Sequence, residues 1–173
     1  MAFLTDPFTQ TMDSLWTLLE AQALFTTHVG AGNRIKLQST TDEDPLRRMN
    51  STTDQPLVLI APSGGQEDEQ NHSFDARMIV QRYEIQVGTG QARTHKKLFP
   101  IKWAILKAVL GAKGNLTTAS DNPFVRGMAV TSGWQDRYDN AVAGMETATG
   151  WVHFLTVEVR MWFTITQLQT VDS

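Results

Sequence analysis

Leu155, Val157, Val159, Met161, Phe163 and Ile165 are apolar at alternate positions near the end of this chain, with Thr156, Glu158, Arg160 and Thr164 among the residues between them. Side chains on a strand point alternately to the two faces of a sheet, so the pattern predicts one long strand over residues 151–165, with one face written for a core. The opposite face carries Val152, Phe154 and Trp162 among its charges, a composition suited to contact between subunits.

Upstream, Asp6-Pro7 predicts a helix start, because Asp accepts from the unpaired N–H groups of a first turn and Pro fits the first helical position. Phe8, Met12, Leu15 and Leu19 recur at spacings of three and four and are joined by Trp16, Leu18, Ala23 and Phe25, which predicts one amphipathic helix over residues 7–27. Val29-Gly30-Ala31-Gly32-Asn33 ends it and releases a short extended piece over 34–37. Leu57, Val58, Leu59 and Ile60 leave neither parity polar and predict a buried strand over 55–61, turned by Pro62-Ser63-Gly64-Gly65 and followed by an acidic tip, Glu67, Asp68 and Glu69. A second strand over 73–87 has Phe74, Ala76, Met78 and Val80 on one parity and Tyr83, Ile85 and Val87 on the other. The switch near residues 80–82 predicts a bulge or a change in which face is covered.

A second helix, over 97–112, sets Leu98, Ile101, Ile105, Val109 and Leu110 on one side and Lys102 and Lys107 on the other. Pro100 fits only a first turn, so the start falls at 96–99. A third main strand covers 124–131, and two polar excursions occupy 38–55 and 133–150. The order predicts an α+β fold: a mostly antiparallel sheet with two amphipathic helices packed on it and long inter-strand loops, as a single domain over all 173 residues.

Charge and chemistry narrow the function classes. A net charge of −3, from 15 basic and 18 acidic residues, argues against a dedicated nucleic-acid binder. Cysteine is absent, which removes disulfides, thiolate metal sites and cysteine nucleophiles. No apolar run reaches the roughly 18 residues of a membrane span and the first residues lack a leader pattern, so a soluble protein without membrane contact is expected. His28, His72, His95 and His153 are scattered. The acidic runs Asp42-Glu43-Asp44 and Glu67-Asp68-Glu69 lack the spacing of a calcium loop. Gly30-Ala31-Gly32 and Gly88-Thr89-Gly90 complete no phosphate-binding pattern, and neither Ser63-Gly64 nor Ser132-Gly133 forms a nucleophile elbow. These readings predict no catalytic residues, no metal and no cofactor. Arg93, His95, Lys96, Lys97, Lys102 and Lys107 form the one strong basic cluster, either a solvated helix face or a docking surface for an acidic partner or passing DNA. Trp103, Trp134, Trp151 and Trp162 suit a core or an interface, and Trp162, on the polar parity, is the best single interface candidate.

With its N-terminal helix, strand pair, second helix and two late strands, the chain resembles the tail terminator proteins of long-tailed bacteriophages over most of its length. The correspondence is closest at Arg77 to Val87, at the Phe99-Pro100-Ile101 helix start, and at an Arg137-Tyr138-Asp139 loop before the aromatic-rich last strand. The resemblance implies a non-enzymatic virion protein, assembled in the host cytoplasm. Its ring, typically a hexamer, would cap the tail tube at the head-proximal end and join it to the head connector or stopper protein, DNA passing through without specific binding. Trp162, Phe154, Arg160, Trp134, Arg137, Tyr138, Arg47 and Arg48 are then the interface candidates, and Glu67, Asp68 and Glu69 the channel-lining ones. Two alternatives stand beside it: another neck component, such as a head-completion or stopper protein, and a small cytoplasmic enzyme or ligand-binding domain without a recognisable motif.

Overall fold

The computed structural model describes residues 6–36, 56–71, 73–89, 95–112, 125–139 and 150–166, with side chains at 6–34, 56–70, 73–88, 98–111 and 155–166. It is an α+β fold in which helices α1 (Pro7–Glu20), α2 (Ala23–His28) and α3 (His95–Ala112) accompany strands β1 (Arg34–Lys36), β2 (Leu57–Glu67), β3 (Ala76–Thr89), β4 (Val125–Asp139) and β5 (Gly150–Thr164). The strands lie in the order β1-β2-β3-β5-β4, so the last strand is inserted between β3 and β4. β1 runs parallel to β2 and every other pair is antiparallel.

Asp6 caps α1 as the sequence predicts: its Oδ1 accepts from the Thr9 amide at 2.8 Å, and Pro7 follows at the first helical position. Thr11 and Ser14 are buried on the inner face, and their hydroxyls donate back to the carbonyls of Pro7 and Gln10, both at 2.7 Å.

The single helix expected over 7–27 is instead two. Gln22 is extended, and its carbonyl accepts from Phe25 and Thr26 to open α2. Phe25 is fully buried with its ring edge-on to Trp16, centroids 6.1 Å apart. Nine residues at 3.6 per turn would place these two on opposite sides of one helix, so the break lets both enter one core. Arg34 closes the end of α2, donating from Nε to the Val29 carbonyl at 2.9 Å and from Nη2 to the Thr26 carbonyl at 3.2 Å, with its guanidinium 5.7 Å from the Phe25 ring centroid.

β2 also departs from expectation. Pro62-Ser63-Gly64-Gly65 is no turn; the strand continues through it to Glu67, with a register shift between Pro62 and Gly64 where Gly64 takes a φ of 112°. One extra residue is absorbed as a bulge while the ladder to β3 resumes at Gly64↔Arg82. β3 itself has no irregularity against β5, pairing from Ala76↔Thr164 to Thr89↔Trp151 without a break. Its parity switch is a change of covered face: Tyr83, Ile85 and Val87 join the helix-side core, whereas Ala76 and Val80 are buried on the other face. Phe74 precedes the strand in the tight turn and is 96% exposed.

α3 starts at His95, one residue ahead of the expected window, so Pro100 falls in the second turn instead of the first. β4 extends to Asp139, which converts residues 133–139 of the expected 133–150 excursion, including Arg137-Tyr138-Asp139, into strand. Its register shifts between Val125 and Gly127 and between Val130 and Trp134 take up the extra residues. The excursion over 38–55 lies outside the described residues.

β5 matches its predicted parity. Leu155, Val157, Val159, Met161 and Phe163 are buried and share one core with Val58, Ile60, Tyr83 and Ile85 and with the inner faces of all three helices. Burying apolar side chains at roughly 1.5–3 kcal/mol each makes this layer the main source of stability.

Candidate interaction surfaces

No described helix covers the sheet face opposite that core, and the strand register lays out its contents. Met78 pairs with Trp162, Val80 with Arg160, Arg82 with Glu158 and Glu84 with Thr156. Directly opposed residues in an antiparallel pair project to the same face, so these form one band. Glu158 sits between two cations, its carboxylate oxygens 3.5 Å from Arg82 Nε and 3.7 Å from Arg160 Nε. The Gln86 amide donates to the Glu84 carboxylate beside them. Trp162 is half-buried and Arg160 exposed. The band thus lays an aromatic ring, a thioether and a satisfied charge network around a buried Val80 on the face away from the core, and both partly exposed ion pairs contribute little stability of their own.

The other residues predicted for contact are distributed differently. Phe154 pairs in register with Gln135, Arg137 with Val152, Tyr138 with Trp151 and Trp134 with Leu155, all along the β4–β5 ladder and remote in sequence register from Trp162. Arg47 and Arg48 lie outside the described residues. Glu67 closes β2 with a carboxylate oxygen 3.7 Å from Arg77 Nε. The Asp68 amide donates to the Met78 carbonyl at 2.9 Å, its carboxylate accepts from the Gln70 amide at 3.2 Å, and Glu69 opens a single 3-10 turn. The acidic tip is therefore ordered by its own hydrogen bonds, and Arg77 offsets part of its charge.

Next to that tip, an open groove of about 440 Å³ is lined by Phe8, Gly65, Gln66, Glu67, Arg77, Ile79 and Gln81. It contains one ion pair and no nucleophile paired to a base. At its edge the buried Tyr83 hydroxyl donates to the Phe8 carbonyl at 2.9 Å. Burial drives the Tyr83 pKa well above the ordinary value, and the nearby Asp6 charge adds to the shift against a hydrogen bond with Thr11. Among the described residues no three His, Asp or Glu side chains gather to hold a metal ion, and no helix is long and apolar enough to cross a membrane.

The surface that sequence reasoning misplaced is on α3. Trp103 and Leu110 are 57% and 58% exposed, and Phe99 is 48% exposed. Leu110, assigned above to the inner face, is on the outer one. The signal was present: residues 99, 103, 106 and 110 repeat at four, three and four, a second apolar line beside the inner one.

Compared with known proteins, the chain matches no protein-family model and no curated sequence.

Proposed function

We propose that this chain is a structural subunit that assembles into a ring at the head-proximal end of a phage tail, ending the tail tube and joining it to the head connector. The observation that carries the reading is the two-faced sheet: helices pack on one side, while the other presents Trp162 against Met78 amid the Arg82–Glu158–Arg160 network. Support also comes from the sheet edges. Among the described strands, one edge is the three-residue β1 and the other the 15-residue β4. A ring built by one repeated head-to-tail contact needs two unlike patches per subunit, and edges of such different length and composition meet that requirement. DNA would pass the ring without a specific site, in keeping with the net negative charge.

Native mass spectrometry of the purified chain, alone and mixed with tail tubes, tests this. A closed oligomer, six copies in the expected case, that caps tubes and stops their growth supports the reading. A strict monomer that leaves tube polymerisation unchanged overturns it.

A further inference from the structure

We propose that the turn presenting Phe74 in one copy of this chain docks on the next copy, against Trp103, Lys107 and Leu110 of α3. Such a contact belongs to the ring proposed above and rests on that reading. Phe74 is 96% exposed, yet the turn that carries it is locked. Ser73 and Ala76 exchange backbone hydrogen bonds of 3.2 and 3.4 Å, the Ile165 amide donates to the Asp75 carbonyl at 2.8 Å, and Arg77 Nη1 donates to the Ser73 carbonyl at 3.1 Å. A ring already fixed in water loses little freedom on docking, so most of its burial is converted into binding. Asp75 follows Phe74 in the turn, and Glu69 opens the 3-10 turn packed against β3. Both are exposed, and among the described residues neither carboxylate has a partner. On α3, Trp103 and Leu110 are 57% and 58% exposed, and Lys107 stands between them, exposed and likewise without a described partner.

Their exposure shows that the two patches do not cover each other within one copy. Between two copies they can meet in three ways. Turn on turn sets Asp75 and Glu69 against their own counterparts, and helix on helix offers Lys107 no carboxylate, because α3 contains no acidic residue. Only turn on helix joins apolar surface to apolar surface with opposite charges beside it. The patches are unlike and lie on separate elements, so the contact is head-to-tail, the kind that closes into rings. The free carboxylates also disfavour an anionic bilayer or a nucleic acid as the home of Phe74. Burying Phe74 removes on the order of 200 Å², well below the roughly 800 Å² per partner of an ordinary protein interface. The turn is therefore a hot spot within a larger ring contact and not a dimer interface by itself.

The chain contains no cysteine, so introduced ones report without background. The double variant Phe74→Cys/Trp103→Cys, oxidised with copper phenanthroline, should give a ladder of covalent multimers on a non-reducing gel, whereas either single variant should stop at a linked pair. Asp75→Lys and Lys107→Asp should each raise the concentration at which the oligomer half dissociates by at least ~3-fold at low salt, and combining them should recover the starting value. All of these side chains are exposed, so the melting curves should hold. An oligomer that forms but yields no ladder, or whose dissociation the charge swap leaves unchanged, overturns this contact and leaves the ring standing. So does an oligomer that Phe74→Ala leaves intact while tube capping is lost, which places the turn on a different protein. A strict monomer at every concentration overturns the ring itself, and this contact with it.

Discussion

At the scale of single residues, two side chains tie α1 down and each is testable. The Asp6 carboxyl feels some burial, which favours its neutral form, but hydrogen bonds from Thr9 and the Phe8 amide outweigh it and hold its pKa below the usual carboxylate value. A depressed native pKa contributes stability that is present above the unfolded value and lost as pH falls through the native one. Asp6→Ala should lower stability by about 1 kcal/mol at pH 7 through the lost cap, and the gap between the two proteins in urea titrations should narrow as falling pH protonates the carboxyl. Tyr83 has the opposite sign: its raised pKa leaves stability intact below the ordinary value of about 10 and erodes it above. Tyr83→Phe should cost about 0.5–1.5 kcal/mol at pH 7 through the lost bond to Phe8, and should flatten the decline in stability expected above about pH 10. The Asp6 cap was legible in the sequence because its partner is three residues away. The Tyr83 bond was not, because it joins positions 75 apart, and only the assembled sheet brings them together.

At the scale of elements, legibility followed from how many sides of a segment are buried. β5 has one core face, so its parity survives in the sequence and its boundaries fall within a residue of those expected. α3 is apolar on two sides, and a single inward stripe drawn through it mixes them, which is how Leu110 was misassigned. In β2, Pro and Gly have the local chemistry of a turn, yet pairing with β3 overrides it and turns the surplus residue into a bulge. That bulge makes a prediction. Gly64→Ala should destabilise by about 1–2 kcal/mol, because its φ of 112° strains any side chain although space is open. Gly65→Ala should also destabilise, for a steric reason: a Cβ there would stand 2.7 Å from Gln81 Oε1 and 3.0 Å from the Val80 carbonyl oxygen. Gly32→Ala, with open space and no such φ, should stay within about 0.5 kcal/mol. Urea midpoints at constant slope rank the three.

At the scale of the whole molecule, the proposed ring gives the partly exposed Trp162, on the sheet face away from the core, a role separable from folding. Trp162→Ala should shift the native mass toward the monomer while lowering the melting temperature by no more than about 5 °C, and an unchanged mass beside a collapsed melting curve would sink its interface role. The α+β class was legible because helix and strand periods are written locally. The strand order was not, since periodicity says which residues face inward and nothing about which ribbon lies beside which. The insertion of β5 between β3 and β4 has its own consequence for biosynthesis. β4 finds its only described neighbour in a strand made after it, and β3 waits for the same segment on one side. A nascent chain stalled ahead of residue 150 thus holds one long unmated ribbon, β4, and a second, β3, with one edge open, a species prone to clumping or to chaperone capture. Completion of this fold waits for β5 to emerge: ribosome-arrested chains ending at 149 should be digested rapidly by protease, and those extended past 164 and clear of the exit tunnel should resist.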